Sequence, residues 1–165
     1  MTRIYLLATL LILAACTSPQ KKESAFSSNE MLDLNVLKIK KTLLNQSDSV
    51  KFLRNIPKGK TDWEVVGVRD WCSGFWPGVL WYAYESSGDE TLKMEAEKFT
   101  APLKTIAYSP ADNHDVGFMV YCSYGNGYRL TGNKAFKEVL LAAADTLATL
   151  YNPNVGSILS WPIKR

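Results

Sequence analysis

The chain has 165 residues, 47% of them hydrophobic and 21% charged, and a formal net charge of only +3. That charge is too small to build the field that attracts a phosphate backbone, which argues against nucleic acid as a partner, while the apolar content is enough to fill one ordinary domain. A single histidine, His114, excludes a histidine-rich metal centre, and no glycine loop carries the lysine of a phosphate site, so neither a metal nor another cofactor is expected.

Residues 1–15 hold one basic residue, Arg3, followed by an apolar run from Ile4 to Ala15. This run is too short for a stable membrane-spanning helix and has the form of an export signal. Leu13-Ala14-Ala15-Cys16 sets small residues before a cysteine, an arrangement that resembles the lipobox of bacterial lipoproteins, in which the cysteine is acylated. Cys16 is therefore the expected lipidation site, and residues 16–29 the expected flexible tether to a membrane. The expected location is the bacterial cell envelope, lipid-anchored and either periplasmic or surface-facing.

The folded part is expected over residues 30–165. Leu32, Val36, Ile39 and Leu43 recur at helical spacing between Met31 and Leu44, and a second short helical piece is expected from Ser49 to Arg54. Ile56-Pro57-Lys58-Gly59-Lys60 ends it, and Thr61 to Asp70 reads as an irregular or extended connection. Pro77 suits the first turn of a helix that Gly88 closes, and Asp89 caps the next, whose pattern Pro102 interrupts.

A further helix is expected from His114 to about Leu130, weakened by Gly125 and Gly127, which allow close approach of a neighbour or a ligand. After the Gly132-Asn133 turn, Ala135 to Leu150 carries a broad apolar face. The result is an all-α chain of about five helices with no convincing set of strands. Ser87-Gly88-Asp89 and Thr131-Gly132-Asn133 occupy similar places, which suggests a repeated helix hairpin.

Beyond Cys16, the two cysteines Cys72 and Cys122 lack the close spacing of a metal knuckle or redox motif. Export permits a disulfide between them, but their apolar surroundings fit two small buried thiols better. No nucleophilic serine elbow is present.

The residues that could carry chemistry are carboxylate and indole. Asp115 lies where a helix begins, so it has two readings: an N-cap that needs no ligand, or an acceptor for sugar hydroxyls. His114 beside it is either a hydrogen-bonded structural histidine or a group that orients a hydroxyl or the neighbouring carboxylate. Of five tryptophans, Trp76 and Trp81 fall within a helix and suit the core, whereas Trp71 and Trp161 lie in loops and suit stacking on a sugar ring.

Taken in order, Asp70-Trp71-Cys72-Ser73-Gly74-Phe75-Trp76-Pro77-Gly78-Val79-Leu80-Trp81, Tyr84-Glu85, Gly88-Asp89, His114-Asp115-Val116-Gly117-Phe118 and Gly156-Ser157-Ile158-Leu159-Ser160-Trp161 resemble glycoside hydrolase family 88, the unsaturated glucuronyl hydrolases. The resemblance runs from about Met31 to Arg165. It implies the six-hairpin glycosidase fold, an (α/α)6 barrel, here incomplete. It also implies the family's substrates, unsaturated glycosaminoglycan oligosaccharides released by an upstream polysaccharide lyase as functional partner.

The implied reaction removes a 4,5-unsaturated uronic acid by hydrating its vinyl ether. Asp115 matches one of two essential family aspartates, Trp71 and Trp161 match aromatic positions around the sugar, and His114 takes the place beside the acid. The second aspartate belongs to a motif downstream of Ser160-Trp161, and Asp145 is no obvious substitute for it. On this reading the complete parent is an enzyme and the 165-residue chain is expected to be inactive. Cys72 stands where many relatives carry threonine. The alternatives are a non-catalytic carbohydrate-binding envelope protein and an unsaturated rhamnogalacturonyl hydrolase fragment.

Overall fold

The computed structural model describes residues 27–46 and 50–162. The signal segment 1–15, Cys16 and the tether as far as residue 26 lie outside the described residues. Among those described, no helix is long and apolar enough to cross a membrane.

Helix α1 (Ser28–Leu44) starts ahead of the expected boundary at residue 30 because Ser27 and Glu30 cap it reciprocally. The Glu30 carboxylate accepts from the Ser27 backbone N–H at 2.7 Å, and the Glu30 N–H donates to the Ser27 hydroxyl. A division between two compact units falls within this helix, after Met31. The unit from Leu32 onward contains the core, to which α1 contributes Val36.

Where a short helix is expected from Ser49 to Arg54, the chain from Phe52 is instead a strand, and Ser49 lies outside the described residues. β1 (Phe52–Asn55) pairs antiparallel with β2 (Glu64–Val66), Phe52 facing Val66 and Leu53 facing Val65. Phe52 and Leu53 are consecutive and both buried. So short an apolar run has no period that could separate strand from helix, and its pairing with Val65 and Val66 decides for strand. A second antiparallel pair, β3 (Tyr151–Asn152) with β4 (Ser157–Ile158), follows the last helix.

The remaining chain forms helical rods. α2 (Phe75–Ser87) turns into α3 (Glu90–Thr100), and the rod continues through a 3₁₀ turn at Ala101–Leu103 into α4 (Lys104–Ala107). Pro102 sits in that turn, which accounts for the interruption. α5 (Val116–Val120), a π segment (Tyr121–Gly125) and α6 (Asn126–Thr131) make the next rod, and α7 (Lys134–Ala148) returns beside it. With α1, the described residues therefore hold five rods, as the hydrophobic period indicated.

The two hairpin junctions are built alike. Gly88 and Gly132 both adopt φ 67°, and their N–H groups donate to Tyr84 and Tyr128 carbonyls at 2.7 and 2.8 Å. That left-handed conformation is cheap only for glycine. Asp89 and Asn133 then cap α3 and α7, accepting from the N–H groups of Thr91 and Ala135. The hydroxyls of Ser87 and Thr131 donate back to the carbonyls of Ala83 and Gly127. One residue after each junction tyrosine, Glu85 and Arg129 join the two hairpins through a bidentate pair at 2.6 and 2.7 Å.

The core is formed between these hairpins. Leu80, Trp81, Leu92, Phe99, Leu103 and Val120 are almost wholly enclosed, each such side chain worth about 1.5–3 kcal/mol of burial. The Trp81 indole N–H donates to the Thr100 hydroxyl at 3.0 Å, whereas the buried indole N–H of Trp76 has no partner among the described residues. Trp76 is also buried, as its helical position suggested.

The close approach expected near Gly125 and Gly127 is made by a neighbour. A Cβ on Gly127 would lie 2.6 Å from the Phe136 ring. Cys72 and Cys122 are free thiols.

Candidate functional site

Asn113 begins the site because its side-chain carbonyl accepts the Asp115 N–H at 2.8 Å. This local turn satisfies the N–H of Asp115 itself, and the Gly117 N–H, which a capping carboxylate could accept, donates instead to the His114 carbonyl at 3.2 Å. Asp115 occupies the cap position of α5, but its side chain makes no capping hydrogen bond. The capping role is thus absent, and the carboxylate is free for another.

That carboxylate is only 4% exposed. Its Oδ2 accepts the indole N–H of Trp161 at 3.1 Å, and its Oδ1 lies 3.4 Å from Nε2 of His114. Burial of an acid is costly unless polar neighbours compensate, and here the two groups that do so come from residues also marked by the sequence. The His114 ring packs against the Trp161 ring with centroids 4.4 Å apart.

Ser160 completes the junction between the helix start and the segment after β4. Its carbonyl accepts the His114 backbone N–H at 3.1 Å, and its hydroxyl lies 2.9 Å from His114 Nδ1. The segment from Tyr151 to Pro162 has no buried residue, so these polar contacts and the Trp161 ring tie it to the site. The Leu159 N–H also donates to the Leu150 carbonyl, fixing where the hairpin returns.

Trp71 joins the same surface through intervening rings. Trp71 and Phe75 lie 5.6 Å apart, Phe75 and Phe118 6.0 Å, and Phe118 and His114 6.2 Å, all edge to face. Trp71, Phe75, Phe118 and Trp161 remain substantially exposed. The arrangement is an aromatic strip with a buried carboxylate near one end. It can stack on sugar faces and accept hydrogen bonds from sugar hydroxyls.

The turn that presents Trp71 is fixed by Asp70. One carboxylate oxygen accepts from the Cys72 N–H and thiol at 3.1 and 3.0 Å, and the other pairs with Arg54 at 3.2 Å. Burial, reinforced by the Asp70 carboxylate, pushes the Cys72 thiol up to about 11. It is therefore a thiol, not a thiolate nucleophile, at neutral pH.

The strip is carried by a close helix contact. A Cβ on Gly74 would lie 2.3 Å from the Met119 carbonyl oxygen, and one on Gly78 2.9 Å from that of Cys122. The start of α2 is thereby pressed onto α5 and the π segment, which brings Phe75 beside Phe118. Among the described residues no group of three or more acidic, cysteine or histidine side chains could hold a metal ion.

Sequence reasoning selected Asp115, His114, Trp71 and Trp161 but overlooked Phe75, Phe118 and Ser160. Phe75 begins α2 and Phe118 falls in the first turn of α5, so both leave the helices beside the loops that hold Trp71 and His114. Their adjacency to the motif residues was the available signal.

No protein-family model matches the chain. It is 40% identical over 101 residues to an unsaturated glucuronyl hydrolase of Formosa agariphila, a match covering 61% of this chain and 25% of the relative. It is 37% identical over 101 residues to an unsaturated chondroitin disaccharide hydrolase of Streptococcus agalactiae, covering 60% of this chain and 25% of that protein. A crystal structure of an unsaturated glucuronyl hydrolase specific for heparin superposes with a TM-score of 0.75 at 39% identity, over 83% of this chain and 36% of that one. The matched region spans about a quarter of the length of the curated relatives and about a third of the solved structure. The helical hairpins are thus those of a six-hairpin (α/α) glycosidase, and by sequence and fold the chain is related to glycoside hydrolase family 88, the unsaturated glucuronyl hydrolases, over a part of their length.

Proposed function

We propose that the protein to which these residues belong removes a 4,5-unsaturated uronic acid from lyase-generated glycosaminoglycan oligosaccharides. The observation that carries this reading is the Asp115 carboxylate, buried yet free of capping duty, beside the exposed aromatic strip. Trp161 and Trp71 stack against sugar, and Asp115 accepts from hydroxyls of the unsaturated ring, with His114 orienting it.

The reaction hydrates a vinyl ether. A carboxylic acid adds a proton at C4, positive character forms at C5 beside the ring oxygen, and water adds at C5 while returning a proton to the carboxylate. The resulting hemiketal opens and releases the partner sugar, so one water is consumed for each bond broken. Asp115 fits the binding side of this chemistry, and the family resemblance assigns the proton transfer to a second aspartate. The Leu13-Ala14-Ala15-Cys16 motif supports a lipid anchor at Cys16 and a place in the bacterial envelope, downstream of a polysaccharide lyase.

The test is incubation of the full protein with unsaturated disaccharides from glycosaminoglycan and from pectin, following loss of the double bond and the sugars released. Turnover of the glycosaminoglycan disaccharides is expected. Preference for the pectin disaccharide would assign a rhamnogalacturonyl hydrolase instead, and binding without loss of the double bond would leave a carbohydrate-binding protein.

A further inference from the structure

We infer that Ser160 is a positioning residue for the site: its hydroxyl donates to Nδ1 of His114, so that the opposite ring nitrogen, Nε2, carries the proton directed at Asp115. The inference rests on the proposed function for its consequence in turnover, but its structural content stands on the geometry around the ring.

A carboxylate oxygen only accepts, and Oδ1 of Asp115 faces Nε2 at 3.4 Å. A proton on Nε2 makes that approach attractive, and a bare Nε2 lone pair makes it repulsive. In a neutral imidazole a proton on Nε2 leaves Nδ1 as an acceptor in need of a donor. The Ser160 hydroxyl is 2.9 Å from Nδ1 and can donate. The Ser160 carbonyl is slightly farther, at 3.1 Å, cannot donate, and already accepts the His114 backbone N–H.

Asp115 then receives an N–H toward each oxygen, one from Trp161 and one from His114, and the carboxylate plane is fixed. Both Ser160 and Trp161 come from a segment with no buried residue, so the orientation of an enclosed acid depends on an exposed strand end. Because the serine and tryptophan are adjacent, one backbone register sets both contacts. This links the segment after β4 to the acid at the start of α5.

The test is the nitrogen spectrum of the His114 ring in the full protein, with signals assigned by their loss in His114→Gln. In the unsubstituted protein Nδ1 is expected to give a pyridine-type signal and Nε2 a pyrrole-type signal. Ser160→Ala removes the donor and leaves only the carbonyl, so Nδ1 should shift to pyrrole type. The same variant should bind an unsaturated glycosaminoglycan disaccharide up to about tenfold more weakly, the scale of one lost hydrogen bond. Ser160→Thr keeps a hydroxyl and should retain both properties.

An unsubstituted protein already protonated at Nδ1 would overturn the inference. So would a Ser160→Ala spectrum unchanged from it, or a tautomer switch that leaves disaccharide binding untouched. If the unsubstituted protein binds the disaccharide without turning it over, the proposed function fails while the ring signals still decide the role of Ser160.

Discussion

The indole N–H of Trp161 donates to the buried carboxylate of Asp115 at 3.1 Å, joining residues 46 positions apart. The bond gives Trp161 two functions, since its ring also packs on His114 at 4.4 Å. The partner of the acid and the ring that packs on the histidine are therefore the same side chain.

Trp161→Phe separates these functions by keeping an aromatic ring while removing the N–H. Loss of a hydrogen bond to a charged group costs about 1.5–3 kcal/mol, and an exposed segment offers no packing to compensate. Calorimetric titration with an unsaturated disaccharide should show affinity reduced by roughly ten- to a hundredfold. Trp161→Ala, which also loses the ring, should bind more weakly still.

The capping residues divide in a way that chemical denaturation can measure. Asp89 and Asn133 accept from helix N–H groups, so each alanine substitution should cost about 0.5–2 kcal/mol of stability. Asp115→Asn removes no cap bond but turns a buried carboxylate that faces two N–H groups into an amide with one accepting oxygen, so it should cost about 0.5–1.5 kcal/mol through Trp161 and His114 rather than through the helix start.

Gly74→Ala should be much more damaging than an ordinary helix substitution. Its Cβ would meet the Met119 and Phe118 carbonyl oxygens at 2.3 and 2.6 Å, and backbone cannot rotate aside. Overpacking of this kind costs about 1–3 kcal/mol or more, visible as a lower Tm. The displaced helix start should also weaken sugar binding, because Phe75 would leave Phe118.

The thiols report on the packing of the same region. Burial pushes both Cys72 and Cys122 upward, Cys72 to about 11, so both stay protonated as pH rises through 8. Neither should react with iodoacetamide at that pH in the folded protein, and both should react in concentrated urea, as counted by peptide mass.

Much of this arrangement was legible in the sequence where one residue type has one cheap conformation. Gly88 with Asp89 and Gly132 with Asn133 marked the hairpin junctions, and Pro102 marked the break between α3 and α4. The sequence suggests a short helix at Ser49–Arg54 because the two apolar residues Phe52 and Leu53 carry no period, and their pairing with Val66 and Val65 is a long-range fact. The role of Asp115 was open for a similar reason: local sequence allows it to cap α5, and only the fold shows Asn113 bonding its N–H and Trp161 taking its side chain. Ser160 was invisible as a partner of His114 because their contact spans the whole of α5 to β4.

The most direct test is calorimetric titration of an unsaturated glycosaminoglycan disaccharide into the full protein and its Asp115→Asn variant side by side. A carboxylate that accepts sugar hydroxyls should make the variant bind at least about tenfold more weakly, with folding unchanged. Equal dissociation constants for the two proteins would contradict the assignment of Asp115 as the acid at the centre of the sugar site.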